Sequence, residues 1–386
     1  MKIAYIGQKG LPAKSGGVEK HVEEMASRMV ANGHSVFAYA RNNYVDKDLN
    51  SYKGIQIIHL PSIPTKNLDA ISHTFLAIVH AIFSNYDVVH FHSIGPSSLI
   101  FLLKIFKRKT AIVTTHHCQD YFHKKWGSFA KKYLRFGEAM AVLFSDRLIV
   151  VSKNLKEYIQ DKFRKTATVI TNGTSVVPAQ DSNYLSKWNL QKGSYIIYVG
   201  RFIRHKGIHL LVEAFKNIED KHLARGKKLV VIGDGFHTDE YVKELKDTAR
   251  GRENIIFTGT LTGDELAQLF SHAYIFVQPS QSEGMSLALL EAMGYGRPIL
   301  ASDIKENKEP LGEGTAMFFH SNDTKDLEEK LTYLINNPLL AKKMGETAQE
   351  KAQEEYSWDR LAVQLEEVYS NAVLEKKNPQ FKTELR

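Results

Sequence analysis

Two glutamates eight residues apart, Glu283 and Glu291, lie in the stretch from Phe276 to Ile304, FVQPSQSEGMSLALLEAMGYGRPILASDI. Ile275, Phe276 and Val277 are β-formers, and the polar run Pro279-Ser280-Gln281-Ser282 ends them. Met285 to Met293 has a helix-forming, apolar composition; Gly294, Gly296 and Pro298 stop it. The turn Glu283-Gly284-Met285-Ser286, running into Leu287, therefore presents backbone N–H groups where a helix begins, which suits an anion. Carboxylates beside such a site suit hydroxyl donors, so a ligand carrying both phosphate and hydroxyls fits, and a nucleotide sugar has both. The plainer reading is a first-turn Glu favoured by the helix dipole and a second, solvated Glu. The apolar flanks of Glu291 (Leu289, Leu290, Ala292, Met293) argue for a partner, because an unpartnered carboxylate among buried neighbours is costly.

Other groups carry possible chemistry. In YVGRFIRHKGIHLLVEAF, Tyr198 to Phe215, a strand ends at Gly200, and Arg201 and Lys206 follow before a helix opens near Gly207. Two cations at a strand's carboxyl end suit a diphosphate leaving group, and they also suit an ordinary solvated loop. Gly10, Gly16 and Gly17 in GQKGLPAKSGGVEKHVEEMA allow a tight loop and close backbone approach to a ligand, without the Gly-x-Gly-x-x-Gly dinucleotide fingerprint. His90-Phe91-His92 and His116-His117-Cys118 sit at two strand ends; they invite a zinc reading but lack clean ligand spacing, and a packed core histidine is the alternative. Asp46-Lys47-Asp48 reads as solvated surface. Lys104 to Arg135 holds nine Lys/Arg and one acid, Asp120, interleaved with Phe122, Trp126, Phe129, Tyr133 and Phe136. That pattern suits an anionic bilayer, nucleic acid or a solvated face, with a helix Trp126 to Phe144 as the contact.

These groups need strand ends and helix starts to hold them. Strands are expected at Lys2–Ile6, Ser35–Ala40, Ile55–Leu60, Asp87–Phe91, Ala111–Thr115, Leu148–Val151 and Thr168–Ile170. Helices are expected at Val18–Ala31, within Leu68–Phe83 and at Ser97–Phe106. A second series follows: Tyr195–Val199, Lys228–Ile232, Ile255–Thr258, Ile275–Gln278, Pro298–Ala301 and Ala316–Phe318, separated by helices. Lys325–Glu355 reads as two solvated helices and Tyr356–Glu375 as a last amphipathic one. Such alternation predicts an α/β fold of two Rossmann-like, doubly wound parallel sheets facing across a cleft. The expected domains are 1–180, 181–360 and a C-terminal helix and tail, 361–386, which crosses back to the first domain.

The length of 386 residues suits two domains. A single cysteine, Cys118, excludes a disulfide framework and fits a reducing compartment. The amino terminus, MKIAYIGQKG, reads as a first strand rather than a signal peptide, and no apolar run reaches spanning length. Residues 1–180 hold 24 Lys/Arg and 12 Asp/Glu, against 27 and 31 in the rest, so the basic first half and mildly acidic second half suit different partners.

Glu283-x7-Glu291, followed by Ala292-Met293 and the Gly296-x-Pro298 strand start, resembles the donor-site motif of glycosyltransferase family 4. The resemblance covers most of the chain and is strongest to bacterial enzymes building surface polysaccharides, through QKGLPAKSGG and HKKWGSFAKKYLRFGE. It implies the GT-B fold and a retaining, metal-independent transfer of sugar from a nucleoside diphosphate to a hydroxyl acceptor, a lipid-linked or growing glycan. It implies that Arg201 and Lys206 hold the donor pyrophosphate, Glu291 the ribose and Glu283 the sugar hydroxyls. Gly284, Met285, Ser286 and Leu287 meet the donor, Gly16 and Gly17 close over its phosphates, and His116 lies beside the transferred sugar. Ser286 stands where many members have glycine. No cofactor or metal is expected and no nucleic-acid partner; the enzyme is expected in the cytoplasm, peripheral to the inner membrane face. The alternatives are a nucleotide-sugar epimerase or hydrolase on the same fold, or a catalytically silent sugar-nucleotide or nucleic-acid binding protein.

Overall fold

The computed structural model describes residues 1–14, 16–65, 68–119, 121, 127–235 and 238–378. It divides into two compact units, Met1–Asn172 together with the chain from Trp358 onward, and Gly173–Ser357.

In the first unit the order is β1 (Lys2–Ile6), α1 (Gly17–Ala31), β2 (Ser35–Arg41), β3 (Ser51–Tyr52), β4 (Ile55–Leu60), α2 (Asp69–Phe83), β5 (Val88–His92), α3 (Ile94–Ser97), α4 (Ile100–Phe106), β6 (Ala111–His116), α5 (Ser128–Phe144), β7 (Arg147–Val150), α6 (Lys153–Phe163) and β8 (Thr168–Val169). The sheet runs β3-β4-β2-β1-β5-β6-β7-β8. Every neighbour pair is parallel except the short β3–β4 ribbon, which the sequence reading did not anticipate. All residues of β5 and β6 are buried, as parallel strands covered on both faces must be, and their runs of Val, Ile and Thr supply that core. The expected helix Ser97–Phe106 is two helices, because the chain leaves helical geometry at Leu99 (φ −105°, ψ 5°).

The second unit repeats the plan: β9 (Tyr195–Val199), α7 (Ile208–Asp220), β10 (Lys228–Ile232), α8 (Asp239–Thr248), β11 (Ile255–Gly259), α9 (Gly263–His272), β12 (Ile275–Gln278), α10 (Leu287–Gly294), β13 (Ile299–Ser302), α11 (Lys305–Leu311), β14 (Met317–Phe319), α12 (Thr324–Asn336) and α13 (Pro338–Glu355). Its sheet, β11-β10-β9-β12-β13-β14, is parallel throughout. The amphipathic helix α7 buries Leu211, Phe215 and Ile218 against it, within a core that includes Leu229, Val231 and Val277.

The joins differ from the expected 180/181 and 360/361. Thr174 N–H donates to the Tyr356 carbonyl at 2.7 Å, and Thr174 bridges Ser357, so the chain entering and leaving the second unit is tied within that unit. The polar stretch after Gln180 belongs there too: Ala179 N–H reaches Ser271 Oγ at 2.9 Å and Tyr184 N–H reaches Gln268 Oε1 at 3.0 Å. The last helix, α14 (Trp358–Lys377), is part of the first unit, where it buries Trp358, Leu361, Leu365 and Tyr369 and packs on α1 and β6.

In each sheet the winding reverses once, between β1 and β5 in the first and between β9 and β12 in the second. Open α/β sheets bind ligands outside the carboxyl ends of the strands at such a reversal. Among the described residues no helix is long and apolar enough to cross a membrane.

Candidate functional site

At the reversal in the second unit, the turns after β9 and β12 lie side by side. Lys206, in a single 3-10 turn after β9, donates to both oxygens of Glu283, in the turn after β12, at 2.6 and 2.7 Å. Backbone joins the two turns as well, since Gln281 N–H donates to the His205 carbonyl at 2.7 Å. Gly207 makes the approach possible. It sits at φ +70°, and a Cβ there would lie 1.9 Å from the Pro279 carbonyl oxygen. Glycine alone adopts this left-handed backbone without strain and leaves that gap open.

Glu283 is also held from its own strand. Gln278 Nε2 donates to its Oε1 at 2.7 Å and Ser280 Oγ at 2.6 Å. Oε1 is therefore filled by three donors, while Oε2, among the described residues, accepts from Lys206 and keeps a lone pair for a further hydroxyl. Burial pushes the Glu283 carboxyl up, but the Lys206 ammonium and its hydrogen bonds, with Ser280, more than offset this and hold it below the ordinary value. Glu283 is thus an ionised, oriented acceptor. The same negative charge adds to burial in raising the Tyr198 hydroxyl and the Glu306 carboxyl.

Arg201 is exposed in the same turn region, between β9 and the 3-10 turn that holds Lys206. Its turn is fixed by Gly200 N–H to the Ile232 carbonyl (3.0 Å) and Phe202 N–H to the Asp234 carbonyl (2.9 Å). Gly233, at φ +136°, allows that contact, since a Cβ would meet the Gly200 carbonyl oxygen at 1.9 Å. Helix α10 starts at Leu287, two residues later than expected, because Ser286 caps it through Oγ to Leu289 N–H at 3.4 Å. Gly284, Met285 and Ser286 form the approach to that helix start, with Met285 buried. The flanks of Glu291 are buried as expected, but Glu291 itself is half-exposed on α10. Glu291 is therefore not desolvated to the degree that its buried flanks imply. Its charge, after burial, raises the neighbouring Tyr295 hydroxyl to about 12.

The reversal in the first unit gathers the other candidates. Gly7 follows β1, and a Cβ there would sit 2.2 Å from the His92 carbonyl oxygen at the end of β5. Gly16 (φ +102°) precedes α1, and a Cβ there would strike Glu19 Oε2 at 2.2 Å, while Glu19 Oε1 accepts from Lys9 N–H at 3.1 Å. Gly17 is the first residue of α1. His116 is buried at the end of β6, its Nε2 3.1 Å from the Cys118 carbonyl oxygen and 3.7 Å from Glu138 Oε1. Sequence reasoning missed Glu138. It is wholly buried on α5 and accepts from Tyr158 OH (2.9 Å) and Lys162 Nζ (2.8 Å). The signal was available as the one acid in a basic helix, at an inward position.

The histidines assemble differently from the His-His-Cys set considered from sequence. His21, His92 and His117 each bring one ring nitrogen within 4.8 Å of the others, and all are buried. Burial lowers His21 to about 4 and His90, His92 and His117 well below the ordinary value, so the rings are neutral, which is the ligating form. Two of the nitrogens are already used on each other: His92 Nδ1 and His117 Nε2 are 3.0 Å apart, and one must donate. His21 Nδ1 donates to Asn172 Oδ1 at 2.9 Å. The His92 Nδ1 and His117 Nε2 atoms share one proton, while His92 Nε2 is buried without a hydrogen-bond partner among the described residues, so the trio is only partly satisfied as a hydrogen-bonded core. Asp46-Lys47-Asp48 is an exposed turn. Of the basic aromatic stretch, Asp120, Phe122, Lys124, Lys125 and Trp126 lie outside the described residues, and α5 begins at Ser128.

A cavity of about 240 Å³ lined by Tyr274, Arg297 and Pro338 lies at the amino ends of β12 and β13, away from this chemistry.

Residues 15–176 match the model of Glycosyltransferase Family 4 and residues 182–351 that of the glycosyl transferases group 1. The chain belongs to family 4 of the glycosyltransferases, and its two doubly wound units have the GT-B fold. A glycosyltransferase of Methanocaldococcus jannaschii described as uncharacterized is 26% identical over 363 residues, 92% of this chain and 94% of its own. The O-antigen chain mannosyltransferase C of Escherichia coli is 23% identical over 372 residues, 94% and 96% of the two chains. Anabaena HepE, solved in complex with UDP-glucose, superposes with a TM-score of 0.80 at 19% identity, over 96% of this chain and all of that one.

Two consequences can be measured. Gly207→Ala combines a left-handed backbone with a 1.9 Å clash, whereas Gly251→Ala, at φ +78° with nothing within 4 Å, carries the backbone cost alone. Thermal unfolding should show Gly207→Ala melting lower by about 4 °C or more, and lower than Gly251→Ala; equal midpoints would contradict the close approach. The histidines give an acid limb. Between pH 6.5 and about 4 the unfolded chain takes a proton that folded His21 refuses, so stability is fully present above pH 6.5 and falls as pH drops through that window. His90, His92 and His117 act in the same direction. A proton refused by the folded chain contributes a slope on the order of 1 kcal/mol per pH unit. Calorimetry from pH 7.5 to 5 should show a steep loss; a flat profile would contradict neutral buried rings.

Proposed function

We propose that this glycosyltransferase moves a sugar, with retention of anomeric configuration and without a metal ion, from a nucleoside diphosphate to a hydroxyl of a lipid-linked or growing glycan in polysaccharide synthesis. The observation that carries this reading is the Lys206–Glu283 pair at the strand reversal of the second unit, on the turns that also carry exposed Arg201 and lead into α10. The relative named for O-antigen mannosyl transfer supports the acceptor class, and the fold neighbour holding UDP-glucose supports the donor class.

In this mechanism the donor diphosphate is met by Arg201, Lys206 and the N–H groups around Gly284 to Leu287. Lys206 keeps a third N–H donor beyond the two spent on Glu283. Glu283 Oε2 accepts a sugar hydroxyl, Glu291 holds the ribose, and the loop at Gly16 and Gly17 and the ring of His116 keep the roles that the family resemblance gives them. The bond between the anomeric carbon and the diphosphate oxygen breaks as the acceptor oxygen bonds to the same face. The acceptor proton passes to the departing phosphate oxygen, whose charge Arg201 and Lys206 stabilise. The cations already supply that stabilisation, so no divalent ion is required. The reaction is placed in the cytoplasm, at the inner membrane face.

A screen of UDP, GDP and dTDP sugars with glycan and lipid-linked acceptors tests this. Arg201→Ala and Lys206→Ala should each lower kcat by roughly 10²–10³, EDTA should leave turnover unchanged, and product NMR should show retention. Near wild-type turnover in both variants would overturn the mechanism. Donor consumption without transfer to any acceptor would favour an epimerase or hydrolase.

A further inference from the structure

The outer helical layer of the first unit shows bulky side chains to solvent in an ordered way. Connections running from β4 to β5 and onward through β6 to β7 place α2, α4 and α5 on one face of the sheet, with α4 packed against both others. Their inward sides are accounted for by Ala77, Ile78 and Ala81 on α2, Leu103 on α4, and Leu134, Ala141 and Val142 on α5. Their outward sides are also apolar. Phe75, Val79 and Phe83 are exposed at four-residue spacing, one stripe along α2. Phe129, Phe136 and Leu143 are exposed at seven-residue spacing, one stripe along α5. Ile105 and Phe106 end α4 in the same condition. Phe83 and Phe129 are each 85% exposed, so neither contributes to the core.

Charge accompanies the stripes. Lys132 and Arg135 are exposed on α5, and Arg108 and Lys109 on the turn after α4. Each carboxylate of the described residues between 69 and 146 is already engaged. Asp69 pairs with Arg41 at 2.7 Å, and Asp87 accepts from Lys2 N–H at 2.8 Å. Asp146 pairs with Lys104 and with Lys376, and Glu138 is buried beside Lys162. Among the described residues the layer is therefore apolar and predominantly positive, with Asp87 met by a backbone N–H and the other carboxylates paired with cations.

We infer that this layer is a docking surface for an anionic lipid bilayer, with Phe83, Phe106 and Phe129 entering the interface and Lys132, Arg135, Arg108 and Lys109 meeting the headgroups. The inference rests on the reading of a lipid-linked acceptor only for its purpose; the surface itself stands on exposure and charge. Nucleic acid would use the cations but leaves exposed phenylalanines in water. A second copy of the same face would set like charges against each other.

The test uses the full chain with phosphatidylcholine vesicles, with and without phosphatidylglycerol, in co-sedimentation. The wild type should bind the anionic vesicles and not the neutral ones. The double variant Phe83→Ser/Phe129→Ser should lose roughly tenfold or more of the partition coefficient. The variant Arg108→Gln/Lys109→Gln/Lys132→Gln/Arg135→Gln should lose the preference for anionic lipid. All variants should keep their unfolding temperature and their binding of nucleoside diphosphate, so loss of membrane binding is distinguishable from failure of the donor site. Wild-type protein that ignores anionic vesicles, or a phenylalanine variant that binds as well as wild type, overturns the inference. So does a concentration-dependent dimer abolished by the same variant, or salt-steep binding to random duplex DNA in place of vesicles.

Discussion

The ion pair between Lys206 and Glu283 joins two segments far apart in the chain, and the chemistry of the second unit depends on it. A buried carboxylate without a partner would take up a proton or unfold its turn. Here it remains ionised because an ammonium, an amide and a hydroxyl converge on it. Removing one partner would strand the other, which is why so many glycines and short polar residues serve this contact. Gly207 admits the Pro279 carbonyl, Gly233 admits the Gly200 carbonyl, and Ser302 Oγ holds the Ser280 carbonyl from the next strand. The pair also sets what the site can accept. Most of its acceptor capacity is turned inward, and what remains is one carboxylate lone pair, one ammonium N–H and an exposed guanidinium.

The two units solve the same topological problem with different chemistry. At the reversal of the second sheet stand charges; at the reversal of the first stand neutral imidazoles. The first choice suits a ligand carrying its own negative charge. In the second, four histidines are kept uncharged by burial, and His90 is fixed between Tyr369 OH (2.6 Å) and Thr115 Oγ1 (2.7 Å). Tyr369 comes from α14, so the last helix completes the first unit's core rather than extending beyond it. Such a network rigidifies its strands but leaves them sensitive to acid.

Much of this was legible in the sequence. Strands of the second unit such as Tyr195–Val199, Lys228–Ile232 and Ile275–Gln278 match the expected ranges, because buried parallel strands are short apolar runs between turn residues. Arg201, Lys206 and Glu283 were found as charged residues at strand ends, and the fold brings Lys206 to Glu283. What was not legible depends on contacts across the fold. Gln278 and Ser280 look like ordinary turn residues until their bonds to Glu283 are seen. Glu138 was hidden by a helix whose positive charge dominates its composition. The histidines were noticed as neighbours in sequence, but their true third partner, His21, lies on α1. The joins between units slipped by several residues because hydrogen bonds, not composition, decide where Thr174 and Tyr356 belong. The exposure of Phe75, Val79 and Phe83 was not legible either, since periodicity shows that a helix has an apolar side and not which side faces the sheet.

The chemistry of the second unit turns on whether the Lys206–Glu283 strand ends bind a diphosphate. Isothermal titration of UDP, GDP and dTDP, each beside its monophosphate, into the wild type and Lys206→Met measures this directly. At least one diphosphate should bind the wild type roughly tenfold or more tightly than its monophosphate, and Lys206→Met should erase that difference. Equal affinity for mono- and diphosphate, or a preference that survives Lys206→Met, would contradict the account.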